Sequence, residues 1–409
     1  MTEAPIRTTC CIAGGGPAGV MLGFLLARAG VSVIVLEKHK DFFRDFRGDT
    51  IHPSTLQVMH ELGLLEEFLK VRHDEIRNLR VVIGDSEVQI ADFTHLPSVC
   101  KFIALMPQWD FLNFLAEQGK RYPGFDLRME TDATDLVIEG DRVVGLRANS
   151  ADGPIEIRAD LVVGADGRHS TVRERGGFSV ESHGVPIDVL WLRLSRKSDD
   201  PEETGGYINY GRMMVALNRR EYWQCAFVIH KGGYDQIRAA GLEAFRAEIV
   251  RLAPFLADRV QELEDWDHVS LLTVAVDRLA KWWRPGLLCI GDAAHAMSPI
   301  GGVGVNLAVQ DAVAAANILA APLREGKLST EHLDHVQRRR TFPMKVIQKM
   351  QTTVQERLLD KILDAQKPMT APFVVRLFNM IPFLQRIPAR IVGIGVRPEH
   401  IHTAPQAPA

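Results

Sequence analysis

One stretch near the start of the chain restricts the possible folds more than any other. Residues 8–13 form a short apolar run, and Gly14-Gly15-Gly16-Pro17-Ala18-Gly19 follows at once. An apolar stretch with helical spacing continues to Ala29, Gly30 stops it, and a second apolar run over 31–36 ends at Glu37. Strand, glycine turn, helix and second strand make a βαβ unit carrying a dinucleotide fingerprint, Gly14-x-Gly16-x-x-Gly19. Gly14 permits the tight turn, Gly16 lets backbone approach a pyrophosphate, and Gly19 lets helix and strand pack closely. The helix start, with Pro17 and Ala18, offers free N–H groups and a positive dipole end to phosphate. Glu37 stands about 20 residues past the glycines, where an acid binds a ribose hydroxyl pair. That acid disfavours a phosphorylated ribose, which leaves FAD or NAD as the resident nucleotide.

At 409 residues the chain is long enough for two or three interlocking domains. A formal net charge of −3 gives no global reason to expect nucleic acid as a partner. The five cysteines, Cys10, Cys11, Cys100, Cys225 and Cys289, match no zinc spacing and three lie in apolar strand-like runs, so no metal is expected and the thiols read as buried and reduced. The first strand starts too early to leave room for a signal peptide, and no apolar run is expected to span a bilayer. A cytoplasmic location is the expectation.

Further along, a charged loop contains Lys38, Arg44 and Arg47, and His52-Pro53-Ser54 precedes a helix over 55–62 for which Ser54 is the expected cap. Strands are expected over 79–82, 88–91 and 102–107, with a helix from Gln108 onward, and 132–148 forms a hairpin. Residues 160–167 repeat the opening pattern, a buried strand ending in Asp166-Gly167. From 178 to 272 alternating strand patterns dominate, four of the five tyrosines gather, and an amphipathic helix covers 242–252. A third strand-and-turn signature follows: residues 286–290, then Gly291-Asp292-Ala293-Ala294-His295, Pro299, and Gly301-Gly302-Val303-Gly304 leading through Val305 and Asn306 into a long helix. Asp292 is placed to accept from a polyol. In the tail, residues 367–398 contain no acid but carry Arg376, Arg386, Arg390 and Arg397 among apolar residues. This is a weak membrane-surface signal. Because prolines cut its helices short, packing over the catalytic domain or a partner subunit is the favoured reading.

Three motifs now stand in order: the opening fingerprint with Glu37; Ala165-Asp166-Gly167-x-x-Ser170-x-Val172-Arg173; and Gly291-Asp292-Ala293-Ala294-His295 with Pro299, Gly302-x-Gly304 and Asn306. Together they resemble the single-component FAD-dependent aromatic hydroxylases, the para-hydroxybenzoate hydroxylase-like flavoproteins. The resemblance implies an α/β fold: a Rossmann-like FAD-binding domain of the glutathione-reductase type (1–72, 99–177 and 272–340). An interleaved antiparallel-sheet substrate domain (73–98 and 178–271) and a C-terminal helical segment (341–409) complete it. It also implies that Gly14, Gly16, Gly19, Glu37 and Lys38 hold the ADP half of FAD. Arg47 and Gln108 would meet its ribityl and phosphate region. Asp166 and Gly167 would serve FAD and the visiting nicotinamide, and Asp292 the ribityl or pyrophosphate part. Pro299, Gly302, Gly304, Val305 and Asn306 would bring N–H groups to the pyrimidine edge of the flavin. Val303 departs from the family, which frequently has glutamine there.

The implied reaction is that of a monooxygenase consuming NADH or NADPH and dioxygen. A flavin C4a-hydroperoxide transfers one oxygen to an apolar, aromatic or polyketide-like substrate. The flavin carries the chemistry, so no catalytic side chain is named. Candidate cavity residues are His52, Tyr207, Tyr210, Met213, Trp223 and Pro299. A monomer or homodimer is expected. The rival readings are a flavin-dependent reductase or desaturase of a lipid-like substrate, a halogenase, and a silent FAD-binding protein. Trp282-Trp283-Arg284-Pro285 does not match the halogenase motif.

Overall fold

A computed structural model describes residues 4–43, 49–356, 360–365 and 367–406. The opening unit forms as the sequence dictates: a strand over Ile6–Ala13, a helix over Pro17–Arg28 and a strand over Val33–Leu36. Residues 10–13, the helix from Ala18 onward and all of Val33–Leu36 are buried, because a sheet covered by helices on its faces leaves its central strands no polar side. Five parallel strands make the core of the first sheet, in the order Leu287–Cys289, Gly153–Gly164, Ile6–Ala13, Val33–Leu36 and Phe125–Arg128. The hairpin of Asp132–Glu139 and Arg142–Ser150 adds antiparallel to Gly153–Gly164, and Trp283–Arg284 adds antiparallel to the edge.

A second, seven-stranded sheet runs Val269–Leu272, Ile187–Ser195, Tyr222–His230, Arg212–Asn218, Gly205–Asn209, Asn78–Ile83 and Ser86–Asp92. Every pairing is antiparallel except that of Gly205–Asn209 with Asn78–Ile83. Its two faces differ. One carries Leu192, Leu194, Trp223, Cys225 and Phe227 against Phe245 and Ile249 of the amphipathic helix Leu242–Leu252. The other carries Ile208, Met213 and Val228, packed with Ile300 of the glycine-rich loop. A small sheet of Thr50–Ile51, Ile103–Leu105 and Asp74–Ile76 lies apart from both. Thus the strand at 74–76 pairs with 103–105 and not with the seven-stranded sheet.

Two local expectations change, and two further local features stand beside them. The helix after His52 starts at Pro53, in the first-turn position where its missing N–H costs nothing, so His52 and not Ser54 occupies the cap position. Upstream of the tail's breaking prolines, the Thr330–Val354 helix runs through Pro343. Leu333 and Val336 before that proline, and Met344 and Ile347 after it, are buried, so packing holds the helix together across the lost hydrogen bond. A helical span at Ile300–Arg324 is long and apolar enough to cross a membrane, contrary to the expectation, yet 83% of its most apolar window is buried inside the protein. It is a core helix, packed beside Pro17–Arg28. Finally, Val303 is buried with Met297, Leu307 and Ile347, so its side chain belongs to the core. All five cysteines are buried free thiols.

Candidate active site

The parallel pairing gathers residues that are far apart in sequence. Ala13 pairs with Gly164 on one side and Leu36 on the other, and Gly164 pairs with Cys289. The residues just past these strand ends are Gly14, Glu37, Ala165-Asp166-Gly167 and Ile290-Gly291-Asp292. They therefore share one edge of the sheet, the carboxyl edge where open α/β sheets bind ligands. Backbone bonds extend the register past the strands: Gly14 N–H donates to Leu36 O (2.8 Å), Ala165 N–H to Ala13 O (2.8 Å) and Ile290 N–H to Gly164 O (2.9 Å).

The glycines divide by what a side chain would meet. A Cβ on Gly14, which has φ +107°, would lie 2.3 Å from Ala165 O, and one on Gly19 would lie 1.9 Å from Gly14 O. Those two glycines are demanded by the chain itself. A Cβ on Gly16, Gly167 or Gly304 would meet nothing within 4 Å. These three lie at the first turn, past the strand of the second motif and at the start of the long helix Gly304–Arg324. Neither Pro17–Arg28 nor Gly304–Arg324 has a side-chain cap, so both helix starts leave backbone donors free. Open glycines, uncapped helix starts and the acids Glu37 and Asp292 suit a pyrophosphate-linked polyol, and the residues present fit FAD.

The acids differ in surroundings. Glu37 accepts from Gly15 N–H (3.2 Å) and His39 N–H (3.0 Å). Asp292 is about a third exposed and lies 3.4 Å from the Arg168 guanidinium. Asp166 is buried. It accepts from the Ser170 hydroxyl and from Val172 N–H (3.1 Å), and so anchors the short helix Thr171–Arg175. Burial pushes its carboxyl above the usual range, with these hydrogen bonds offsetting part of the rise. Its side chain holds the turn, and its neighbour Gly167 faces open space. Lys38 is exposed, and Arg44 and Arg47 lie outside the described residues. Gln108 opens its helix and donates its N–H to Asp49 (3.3 Å).

Several expected contacts go elsewhere. The Asn306 carbonyl accepts from His52 N–H (2.9 Å) and the Thr55 hydroxyl (2.7 Å), so that side chain clamps one helix start to another. His52 is fully buried, and its Nδ1 donates to Val392 O (2.7 Å), which leaves Nε2 without a partner among the described residues. Burial drives its pKa down to about 4, the Val392 bond offsetting a little. It is neutral and is not a cavity wall. Trp223 is buried on the helix-covered face of the second sheet, with Nε1 donating to Asp200 (2.8 Å). Tyr207 shares that face, its ring centroid 5.7 Å from that of Phe255, and burial pushes its hydroxyl up to about 12. Tyr210 sits in a turn at φ +48° beneath the Arg251 guanidinium, 3.7 Å from the ring centre. Trp223 and Tyr207 share the helix-covered face because a period of two sends alternate residues of a strand to opposite faces. Met213 takes the opposite face and packs in the cluster that includes Ile300, next to Pro299.

A cleft that the sequence does not announce is lined by Asp49, Trp109, Arg193, Arg219, Tyr222 and Gln224, between the second sheet and the Gln108–Lys120 helix. Arg219 bonds Asp49 and donates to Gln224 (3.1 Å), and Arg193 stacks on Tyr222 at 4.0 Å. The sequence reading also missed Asp311, which is fully buried. It accepts from Gly291 N–H (3.0 Å), His295 Nε2 (2.6 Å) and Arg340 (2.8 Å), and so fastens the Asp292 turn to two long helices. Burial alone would raise its carboxyl, but His295 and Arg340 hold it below the usual range. The available signal was a lone acid inside an apolar helix, downstream of His295.

A family model described as an FAD binding domain matches residues 7–350. The chain is 32% identical over 388 residues to the 6-methylpretetramide 4-monooxygenase of Streptomyces rimosus, covering 93% of this chain and 92% of that protein. The chain belongs to the FAD-dependent aromatic monooxygenases. It is an oxidoreductase with FAD as cofactor and a nicotinamide nucleotide as reductant. The anhydrotetracycline hydroxylase OxyS of S. rimosus superposes with a TM-score of 0.74 at 22% identity, over 95% of this chain and 76% of that one. The myxobacterial chondrochloren halogenase superposes with 0.75 at 19% identity, over 95% and 92%. The fold therefore serves hydroxylases and halogenases alike, and the sequence relationship assigns this monooxygenase to the hydroxylating side.

Proposed function

We propose that this monooxygenase places one atom of dioxygen on an aromatic, polyketide-like ring, in the cytoplasm. The observation that carries this reading is the convergence of Gly16, Glu37, Gly167 and Asp292 on one strand edge. The relative named for 6-methylpretetramide supports the substrate class. The N–H groups at the start of Pro17–Arg28 would take the pyrophosphate, Glu37 the ribose hydroxyls, and Asp292 a polyol hydroxyl. Backbone donors at Gly302–Gly304 would face the flavin ring, where a helix start stabilises negative charge. When bound, FAD accepts a hydride from NADH or NADPH and activates dioxygen for transfer to an electron-rich carbon.

This chain's own task is to orient the ring and keep water out. The apolar face of the second sheet, with Ile208, Met213 and Val228 beside Ile300, supplies the dry side. The cleft of Arg193, Tyr222 and Gln224 offers hydrogen bonds and a stacking surface at its rim. Thr50 holds the glycine-rich loop in place by donating to Gly302 O (2.9 Å). The reading is tested by incubating the purified protein with NADH or NADPH under isotopically heavy dioxygen and a panel of phenols and polycyclic aromatics, followed by mass spectrometry. A product carrying one heavy oxygen is expected. Consumption of neither nucleotide with any ring would refute the assignment.

A further inference from the structure

We propose that the C-terminal segment Phe373–Gly393 is a docking surface for an anionic lipid bilayer. The segment consists of the helix Phe373–Met380, the turn Pro382–Gln385 and the helix Arg386–Gly393. Its inner face is fully engaged. Phe378 and Val375 pack against the second sheet, and Ala389 and Val392 against Phe93 and Leu96. The Asn379 amide donates to Glu87 O (3.0 Å) and accepts from Gln89 N–H (3.1 Å), which caps the open edge of Ser86–Asp92. Gln385 accepts from the Gln89 side chain (2.8 Å). The fold asks nothing more of the outer face.

That outer face is nevertheless apolar. Phe373, Met380, Ile381, Phe383 and Ile387 are exposed, with Phe373 at 73%, Met380 at 69% and Phe383 at 64%. These five fall within fifteen consecutive positions, whereas the other exposed large hydrophobics among the described residues are scattered over the rest of the chain. Scattered residues need no explanation, but a contiguous patch marks an interaction surface.

Charge selects the occupant. Lys367, Arg376, Arg386, Arg390 and Arg397 are all exposed, and no acid occurs between Lys367 and Pro398 in a chain of net charge −3. Among the described residues none of these five cations is in an ion pair, and Arg386 lies 5.5 Å over the Phe383 ring. A second copy docking by twofold symmetry would set this acid-free patch against itself, cation facing cation. An anionic bilayer surface satisfies both features, because aromatic and aliphatic side chains enter the acyl boundary while the arginines meet phosphate.

The test is flotation of the FAD-loaded full chain with phosphatidylcholine vesicles, with and without about a third phosphatidylglycerol. Binding is expected to the anionic vesicles alone and to weaken as salt rises from about 0.1 M to 1 M. Arg386→Glu with Arg390→Glu removes two cations and should lower the partition coefficient by about 25-fold or more, at roughly fivefold per cation removed near an anionic surface. Phe373→Ser with Phe383→Ser should abolish binding. Leu271→Ser, at the opposite edge of the same sheet, should leave it unchanged. All variants should keep their bound flavin and thermal midpoint, since the altered side chains are exposed. Absence of flotation, or flotation indifferent to the two double substitutions, overturns the proposal. So does a dimer in sedimentation that Phe383→Ser dissociates, which would mean that a second copy covers the patch.

Discussion

Gly16 and Gly19 belong to one motif but make opposite predictions. Gly16 is extended, with φ −77° and ψ −176°, and a Cβ there would point into open space. Gly16→Ala therefore introduces no strain into the apoprotein. By reducing the freedom of the unfolded chain it should stabilise by about 0.4–1 kcal/mol, a rise of a degree or two in thermal midpoint. The new methyl would occupy the space through which a pyrophosphate approaches the helix start. Loss of a single charge-assisted hydrogen bond there is worth about 1.5–3 kcal/mol, or roughly 10- to 150-fold in the Kd for FAD. A Cβ on Gly19, by contrast, would lie 1.9 Å from a backbone oxygen. Gly19→Ala must push helix from strand and should destabilise even the apoprotein by about 1–3 kcal/mol or more. The assay is FAD titration of apoprotein by fluorescence quenching, beside thermal melts without FAD. If Gly16→Ala binds FAD as tightly as the parent, or melts as early as Gly19→Ala, the assignment of that open space to the pyrophosphate is wrong.

Three further outcomes follow from the site. Asp311→Ala leaves the buried Arg340 with Glu399 alone (3.2 Å) and takes the partner from His295, and should cost about 3–5 kcal/mol in urea unfolding, with flavin lost as the Asp292 turn loosens; a variant of near-parental stability would contradict the network. His52 is neutral in the folded state, with a pKa near 4 against 6.5 unfolded, so the unfolded chain binds the extra proton between those values. Stability should fall as pH drops from about 6.5 to 4, by up to about 3 kcal/mol, and His52→Asn should remove that part of the slope; an unchanged slope in paired melts would show that another group carries it. Trp223→Phe leaves the Asp200–Arg259 pair without one donor and should lower stability by about 1–2 kcal/mol while KM for the ring substrate stays constant, whereas a large KM change would return Trp223 to the cavity.

The opening βαβ unit was legible because its signals are local: an apolar run, a glycine spacing and a terminal acid within one stretch of chain. The two later strand-and-turn motifs were legible for the same reason, and so was the helix Leu242–Leu252, which appears with the bounds its periodicity predicts. What the sequence determined, then, was the inventory of elements and the glycines whose backbone could serve a phosphate. The tertiary structure decided which of those elements stand side by side. Parallel pairing has no local signature, since its partners are separated by whole crossovers, yet it alone sets Gly14, Glu37, Asp166 and Asp292 on one edge. Side-chain direction was likewise decided by packing. Tyr207 and Trp223 were candidates for a cavity as residues on second-domain strands, but the Leu242–Leu252 helix claims their face, and Met213 lies on the other. Asp311, His295 and Arg340 meet only because separate helices and a turn converge on one buried acid, and burial makes that meeting obligatory: a charge removed from water needs partners, and only the fold can bring them.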